Sequence, residues 1–370
     1  MTRISVTGFR KWMGYPRRMW EDYAYLNPKR KQGGTMKNFI QVLCTLACLG
    51  SVICVASAQE PAFAYLGQTP PGQEPKIFAP GLVNTGMHTR DFTMTPDGRE
   101  IYFCVILGQY KLSNIVGCRF ENGCWSAPQV VPGLDQPGVH YIEPHISVDG
   151  RKFFFASNRP VPGKAFDERD EDIWVMERQG TGWGEPHNLG APVNTPGGEF
   201  FPTTTADGSL YFTGPDVGGK GEAIYCSKWI DGKYAVPERL PSQINAGKAR
   251  YNAYFSPDGR LAIVPIWGLP DSLGGCDYYA VFHNEDGSWS EPVNLGATVN
   301  TAASDEHSAS LSADGQYLFF MSARMPAAEL MPAQLTYEYM VGLHRSAPNG
   351  NPAIYWVEAS FIEKLRPGKK

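Results

Sequence analysis

EPVNLGATVNT, from Glu291 to Thr301, is followed by Glu306 and then by Asp314-Gly315, and it decides the fold because the chain repeats it. A second copy reads EPHNLGAPVNT from Glu185 to Thr195, with Glu199 and Asp207-Gly208 behind it. A phrase that returns at a fixed interval marks a supersecondary unit that buries its apolar face only by stacking on its neighbours. Each unit carries an Asp-Gly turn ahead of an apolar strand: Asp97-Gly98 before IYF, Asp149-Gly150 before FFF, Asp207-Gly208 before LYF, Asp258-Gly259 before LAIV and Asp314-Gly315 before LFF. The unit is roughly 50 to 60 residues long, which exceeds a solenoid repeat and suits one four-stranded propeller blade with its loops.

Within a unit the innermost strand ends at the Asp-Gly turn and the second carries the paired aromatics. The third is DIWVMER at Asp172 to Arg178, matched by AIYCSKW, DYYAVFH and AIYWVEA. The fourth follows a Gly turn and a Trp or Tyr, as in GWGEPHNLG. The last unit stops after its third strand, near FIEKLRP, whereas FAPGLVNT at Phe78 to Thr85 supplies a fourth strand and its hand-over with no strands before it. The two ends complement each other. The fold class is therefore all-β, a five-bladed β-propeller of four-stranded antiparallel blades over residues 76–367, closed by an N-terminal strand that completes the C-terminal blade and removes an exposed edge.

Composition agrees with many short strands joined by tight turns: 40 Gly, 30 Pro, 18 Tyr and 19 Phe in 370 residues, with 42% hydrophobic content. Lys and Arg number 33 against 37 Asp and Glu, a net charge of −4, which excludes the basic footprint of a nucleic-acid binder. The segment 36–58 reads as a secretory signal peptide: Lys37, an apolar run from Phe39 to Val55, then Ala56-Ser57-Ala58. Residues 1–35 read as an extension ahead of a true start at Met36, and 59–75 as a linker. The expected mature chain is periplasmic or secreted, has no membrane span and is a monomer. Five cysteines follow the cleavage site. Cys118 and Cys124 flank the Glu121-Asn122-Gly123 turn and either bridge across a hairpin or stay as two free thiols.

The phrases FSPDGR, DIWV, GWGEPHNLGAPVNT and AIYWVEASFIEKLRP resemble the WD40-like repeats of the TolB-type β-propeller family of exported bacterial proteins. The resemblance covers nearly all of the expected mature chain. It implies a periplasmic or secreted propeller that binds proteins or ligands, sometimes fused to a peptidase or a peptidoglycan-binding domain; no GxSxG nucleophile elbow is present here.

In a propeller the innermost strands line the central channel. Counting back six to eight residues from each turn aspartate gives Arg90 and Asp91, Glu143, Glu199, Arg250 with Asn252, and Glu306 with His307. Arg159 and Arg324 close the second strands at the same mouth, and His140 and His145 flank Glu143. Two readings stand side by side. One is a polar pocket for an anionic or sugar-like ligand, formed by Arg90, Asp91, His140, Glu143, Arg159, Glu199, Arg250, Glu306, His307 and Arg324. The other is a set of buried pairs that staple the ring, a role that obeys repeat symmetry where catalytic residues break it. No HxH or HExxH spacing points to a metal, and no cofactor is expected. Two long loops, Arg159 to Asp172 and Met325 to Pro352, lie at that mouth, where binding commonly resides. Trp125, Trp183 and Trp289 recur at one place and are expected to pack rather than bind. The function read from the sequence is an exported, non-catalytic binding module for a protein or glycan partner, with a glycosidase or polysaccharide lyase using mouth carboxylates as the alternative.

Overall fold

The computed structural model describes residues 64–164, 170–302 and 306–368; the signal-peptide segment lies outside the described residues. Five antiparallel sheets follow one another along the chain. The first blade comprises His88–Met94, Glu100–Leu107 and Leu112–Glu121, with an outer strand broken into Cys124–Trp125 and Gln129–Val130. The second repeats that pattern: Tyr141–Ile146, Lys152–Ser157, Asp172–Gln179, then Gly182–Trp183 and His187–Asn188. In the third, Phe200–Thr204, Leu210–Pro215, Glu222–Ser227 and Glu238–Arg239 carry an added hairpin of Trp229–Ile230 and Lys233–Tyr234. The inner strand of the fourth is divided into Ala249–Arg250 and Tyr254–Phe255, followed by Leu261–Trp267, Cys276–Phe282 and Val293–Asn294. The fifth holds Ala309–Leu311, Tyr317–Ser322 and Ala353–Glu358, and its outer strand is Lys76–Ile77.

The chain thus closes as its ends imply. Lys76 lies opposite Trp356 and Ile77 opposite Tyr355, and the Phe78 amide donates to the Ile354 carbonyl at 2.9 Å. The part of the expected linker that is described lies along this closing blade. Tyr65 is buried against Tyr317 and Trp356, and its hydroxyl donates to Asp314 Oδ2 at 2.9 Å.

Core residues gather between blades rather than within them. One cluster joins blades 1 and 2 around Tyr102, Phe153 and Trp174; others join 2 to 3, 3 to 4 and 4 to 5. A fifth joins blade 5 to blade 1, where Phe92 stacks on Phe319 at 4.1 Å. With that last contact each blade buries both faces and the sheet row has no open end.

The Asp-Gly turns owe their form to local chemistry. In each, a Ser or Thr two residues before the aspartate donates to its carboxylate, as Thr95 does to Asp97 at 2.6 Å and Ser256 to Asp258 at 2.6 Å. The same carboxylate accepts an amide two residues on, from Arg99 at 3.1 Å and Arg260 at 3.0 Å. The glycines at 98, 150, 208, 259 and 315 all take positive φ.

The VNT asparagine is a clamp. Asn300 accepts from the Tyr278 amide at 2.8 Å and donates to the Tyr278 carbonyl at 3.1 Å, so one side chain satisfies both backbone groups of a third-strand residue. Asn194 does this to Ile173, Asn245 to Ile224 and Asn84 to Ile354. Each grips the blade the chain has just left, and Asn84 thereby locks the closing one. After blade 1 the corresponding position is Gln136, which makes no such clamp among the described contacts.

Cys118 and Cys124 are both free, one buried and one exposed. Cys124 pairs across the hairpin with Glu121, which leaves Cys118 out of reach of a bridge. Trp183 packs on Phe153 at 5.3 Å, donates to the Tyr102 hydroxyl at 2.8 Å and lies under the Arg178 guanidinium. The loop 325–352 folds into a short 3-10 turn and the helix Tyr337–His344. Asn349 and Asn351 fasten it to the Gly86 carbonyl at 3.0 and 2.8 Å. Gly86 has φ of 89° and an added Cβ would lie 2.5 Å from the His344 carbonyl, so only glycine fits there.

Candidate functional site at the channel mouth

Every inner strand is kinked at one equivalent place, six residues before its turn aspartate. Asp91, Glu143, Phe201, Asn252 and Ser308 have φ of 58°, 59°, 51°, 46° and 63°. Positive φ is costly for a residue with a Cβ, and here it produces a bulge: the ladder register shifts between Arg90 and Thr93, between Ile142 and His145, and between Phe200 and Thr203. The bulge turns one residue per blade toward the axis.

Arg90 occupies the centre of that ring. Its Nε donates to Asp91 Oδ1 at 2.7 Å, one terminal nitrogen donates to the Tyr110 hydroxyl at 2.8 Å, and the other donates to Glu143 Oε1 at 3.0 Å and Ser308 Oγ at 3.1 Å. Glu143 Oε1 also accepts from Asn252 at 3.2 Å, and its Oε2 accepts from the Phe201 amide at 2.6 Å. Ser308 donates to Asp91. Side chains or amides of all five blades thus meet in one buried network, which separates two chambers. Toward the Asp-Gly turns lies a space of about 110 Å³ edged by Thr93, His145, Thr204 and Ser310. Toward the opposite face opens a mouth of about 400 Å³, with Arg90, Glu143 and Asn252 as its floor and Tyr110, Glu171, Tyr251, Trp267 and His307 as its walls.

Burial sets the electrostatics. It pushes the Glu143 carboxyl up to about 8, with Arg90 pulling the other way and Asp91 and Glu171 adding to the push. It raises Glu171 as well. His307 and His88 are both lowered to about 4 by burial, then by the Arg90 charge. His145 falls to about 3 by burial, and its Nε2 accepts the Thr204 amide at 2.9 Å. All three rings are therefore neutral at pH 7.

The acids eight residues before the turn stand apart from this ring. Glu199 accepts the Thr195 amide at 2.9 Å and the Thr195 hydroxyl; Glu306 accepts the Thr301 amide at 3.1 Å and hydroxyl at 2.8 Å. Each ties the threonine of the repeated phrase to the next inner strand. Burial raises both carboxyls to about 7 against the pull of those donors. The arginines are similarly engaged. Arg250 donates to the carbonyls of Ala246, Glu222 and Gly247 at 3.2, 2.8 and 3.2 Å. Arg324 donates to those of Thr298 and Val299 at 3.0 and 2.7 Å, and Arg159 to that of Gly133 at 3.0 Å. His140 pairs through Nδ1 with Ser113 at 2.9 Å. Of the ten residues singled out in the sequence, Arg90, Asp91, Glu143 and His307 come together at the axis, and the other six hold strand ends and hand-over loops.

Tyr110, Glu171, Tyr251 and Trp267 are the mouth residues that the sequence reading passed over. Trp267 ends a second strand nine residues after its turn aspartate, where blades 2 and 5 have Asn158 and Ala323, and such a departure from the repeat was the available signal. Among the described residues no group of three or more His, Cys, Asp or Glu is arranged to hold a metal ion. Nor is any described helix long and apolar enough to cross a membrane.

No family model matches the chain, and no curated protein matches it. TolB and other β-propeller domains stand among its structural neighbours. TolB from Acinetobacter baumannii is 16% identical over 74% of this chain and 57% of its own, with a TM-score of 0.42. The β-propeller domain of the Trilobed protease from Pyrococcus furiosus is 14% identical over 67% of each chain, with a TM-score of 0.35. A puromycin-hydrolyzing peptidase of Mycobacterium tuberculosis is 12% identical over 63% of this chain and 34% of its own, with a TM-score of 0.37. The chain therefore spans little more than half the length of TolB and about a third of that peptidase.

Proposed function

We propose that this protein is an exported β-propeller that binds a protein or glycan partner at the channel mouth and performs no chemistry on it. The observation that supports this reading is the state of the acids. Both oxygens of Glu143, Glu199 and Glu306 already accept hydrogen bonds from the fold, whereas a carboxylate pair for glycoside hydrolysis has to face a leaving group and a water. Around them the mouth offers recognition surface: Tyr110 is 42% exposed and Trp267 40% exposed, over a polar floor. Export rests on the Lys37 to Ala58 pattern and a monomer on the closed ring. The alternative, a glycosidase or lyase, draws on Glu143 and Glu171 lining one cavity with raised pKa values. Screening the purified protein against a panel of cell-wall and plant glycans, with and without a chelator, tests the choice. Retention of a glycan without release of reducing ends or unsaturated products is expected. Turnover would replace the binding reading with the enzymatic one.

A further inference from the structure

The mouth is walled by aromatic rings that the fold holds in place without burying them. Tyr110 sits on the turn between the second and third strands of blade 1, where Gly108, Gln109 and Tyr110 take φ of 59°, 54° and 66° in succession. Two of the three bear a Cβ, for which that backbone is costly. The strain gains no burial, because Tyr110 remains half-exposed. What it does is set the ring at right angles to His88, with centroids 5.6 Å apart, and its hydroxyl on the buried Arg90 at 2.8 Å. Trp267, also half-exposed, is fixed through its backbone. Its carbonyl accepts the Lys248 amide at 2.8 Å, and Gly247, with φ of 70°, packs so closely that an added Cβ would lie 2.6 Å from that carbonyl. Tyr251 completes the wall, its amide on the Pro265 carbonyl at 3.2 Å and its ring edge-on to His307 at 5.9 Å. Rings positioned by rigid neighbours, with faces left open, are pre-organised for a ligand that stacks.

Neither sign of charge dominates around those rings. Arg90 is paired with Asp91 at 2.7 Å, and Glu143, raised to about 8, holds its proton at pH 7. His88 and His307 are neutral, and burial pushes Glu171 toward its neutral form. Lys111, beside Tyr110 in the chain, and Lys248, paired with Trp267, are exposed to water, where a lysine holds a counter-charge only weakly. A charged ligand group entering the mouth would therefore shed its hydration without meeting a buried counter-ion. A purely apolar group would strand the polar floor and His307, whose neutral ring offers one donor and one acceptor. A pyranose ring satisfies both conditions, with C–H faces for the aromatic walls and hydroxyls for the floor, and a space of about 400 Å³ is of small-molecule size. We propose that the mouth binds an uncharged hexopyranose unit of a glycan, stacked on Tyr110, Tyr251 and Trp267 with its hydroxyls on His307 and the polar floor. This rests on the binding role proposed above and names its ligand class. Of the anionic and sugar-like ligands expected from the sequence it favours the second, since Arg159, Arg250 and Arg324 hold backbone carbonyls.

The test is calorimetric titration of the purified protein with three uncharged tetrasaccharides, of glucose, mannose and galactose, and with the tetramers of galacturonic acid and of glucosamine. At least one uncharged tetramer is expected to bind about tenfold or more tightly than both charged ones. Its affinity should hold steady as salt rises from about 0.05 to about 0.5 M, because no ionic contact is there to be screened. Trp267→Ala should weaken it by about tenfold at an unchanged melting temperature, since the half-exposed ring belongs to no core cluster. Trp267→Phe, which keeps a ring face, should recover most of that loss. Equal or tighter binding of a charged tetramer, or a steep fall with salt, overturns the uncharged sugar and leaves a glycan-binding module standing. An unaffected Trp267→Ala variant overturns the mouth as the place of binding. Silence from all five tetramers overturns the inference, and the binding role then stands only on a protein partner.

Discussion

Glu143 and Glu306 are both buried glutamates on inner strands of the same repeat, and they do different work. Glu306 lies eight residues before its turn aspartate and holds the hand-over loop of its own blade boundary through the Thr301 amide and hydroxyl. Glu143 lies six before its own, on a residue with φ of 59°, and joins Arg90, Asn252 and the Phe201 amide from three other blades. Two residues of offset and one bulge separate a local tie from a node of the whole ring. Acids that repeat with the blades serve the blade, and those that the bulge turns inward serve the axis.

Removing the centre of the ring should have the largest effect. Arg90→Met leaves Asp91 and Glu143 buried without their cation, and a loss of about 3–5 kcal/mol in unfolding free energy is expected from denaturant titration. A loss no greater than that of a single hydrogen bond would break the distinction drawn above. Next come the clamps. Asn300→Ala and Asn84→Ala each remove a bond to a buried backbone amide and one to a carbonyl, and each should cost about 2–3 kcal/mol. Comparable losses at the two sites would mean that the closing blade is held as firmly as an internal one. Glu306→Gln keeps the shape and one acceptor, so it should cost only about 1–2 kcal/mol and leave ligand affinity at the mouth unaltered.

The pH dependence sharpens the same comparison. A carboxyl whose pKa rises on folding holds its proton more tightly in the native state, so its contribution is complete below the unfolded value and is lost as pH climbs through the folded one. That applies to Glu199 and Glu306 up to about 7 and to Glu143 up to about 8. His88, His145 and His307, lowered to about 4, 3 and 4, act oppositely below 6.5, because there the unfolded chain takes up the extra protons. The two sets offset each other up to that pH, and above it only the glutamates remain. Stability should therefore fall between pH 6.5 and 8 in equilibrium unfolding. The double variant Glu199→Gln, Glu306→Gln should flatten the slope up to about 7 and keep the part above it, which belongs to the axis.

Much of this was readable because it is local. An aspartate followed by glycine, with a hydroxyl two residues before, forms its turn from neighbouring atoms, and five such turns at blade spacing fix the number of sheets. FAPGLVNT at the front and the truncated last unit at the back fixed the closure in the same way, since an outer strand without inner ones has only one vacant edge to fill. The site was legible only in part. Arg90, Asp91 and Glu143 were found by counting, but so were Glu199, Arg250 and Glu306, and no count separates a residue six before the turn from one eight before. Tyr110, Glu171 and Trp267 lie on loops and strand ends that obey no period.

What the sequence determined by itself was the architecture: five units, their order, and the pairing of the first strand with the last. Only the tertiary structure decided which polar groups meet. The bulges sum at an axis to which all five blades contribute, and the arginines are consumed by carbonyls distant in the chain, so which polar groups face the mouth follows from contacts that no single repeat contains.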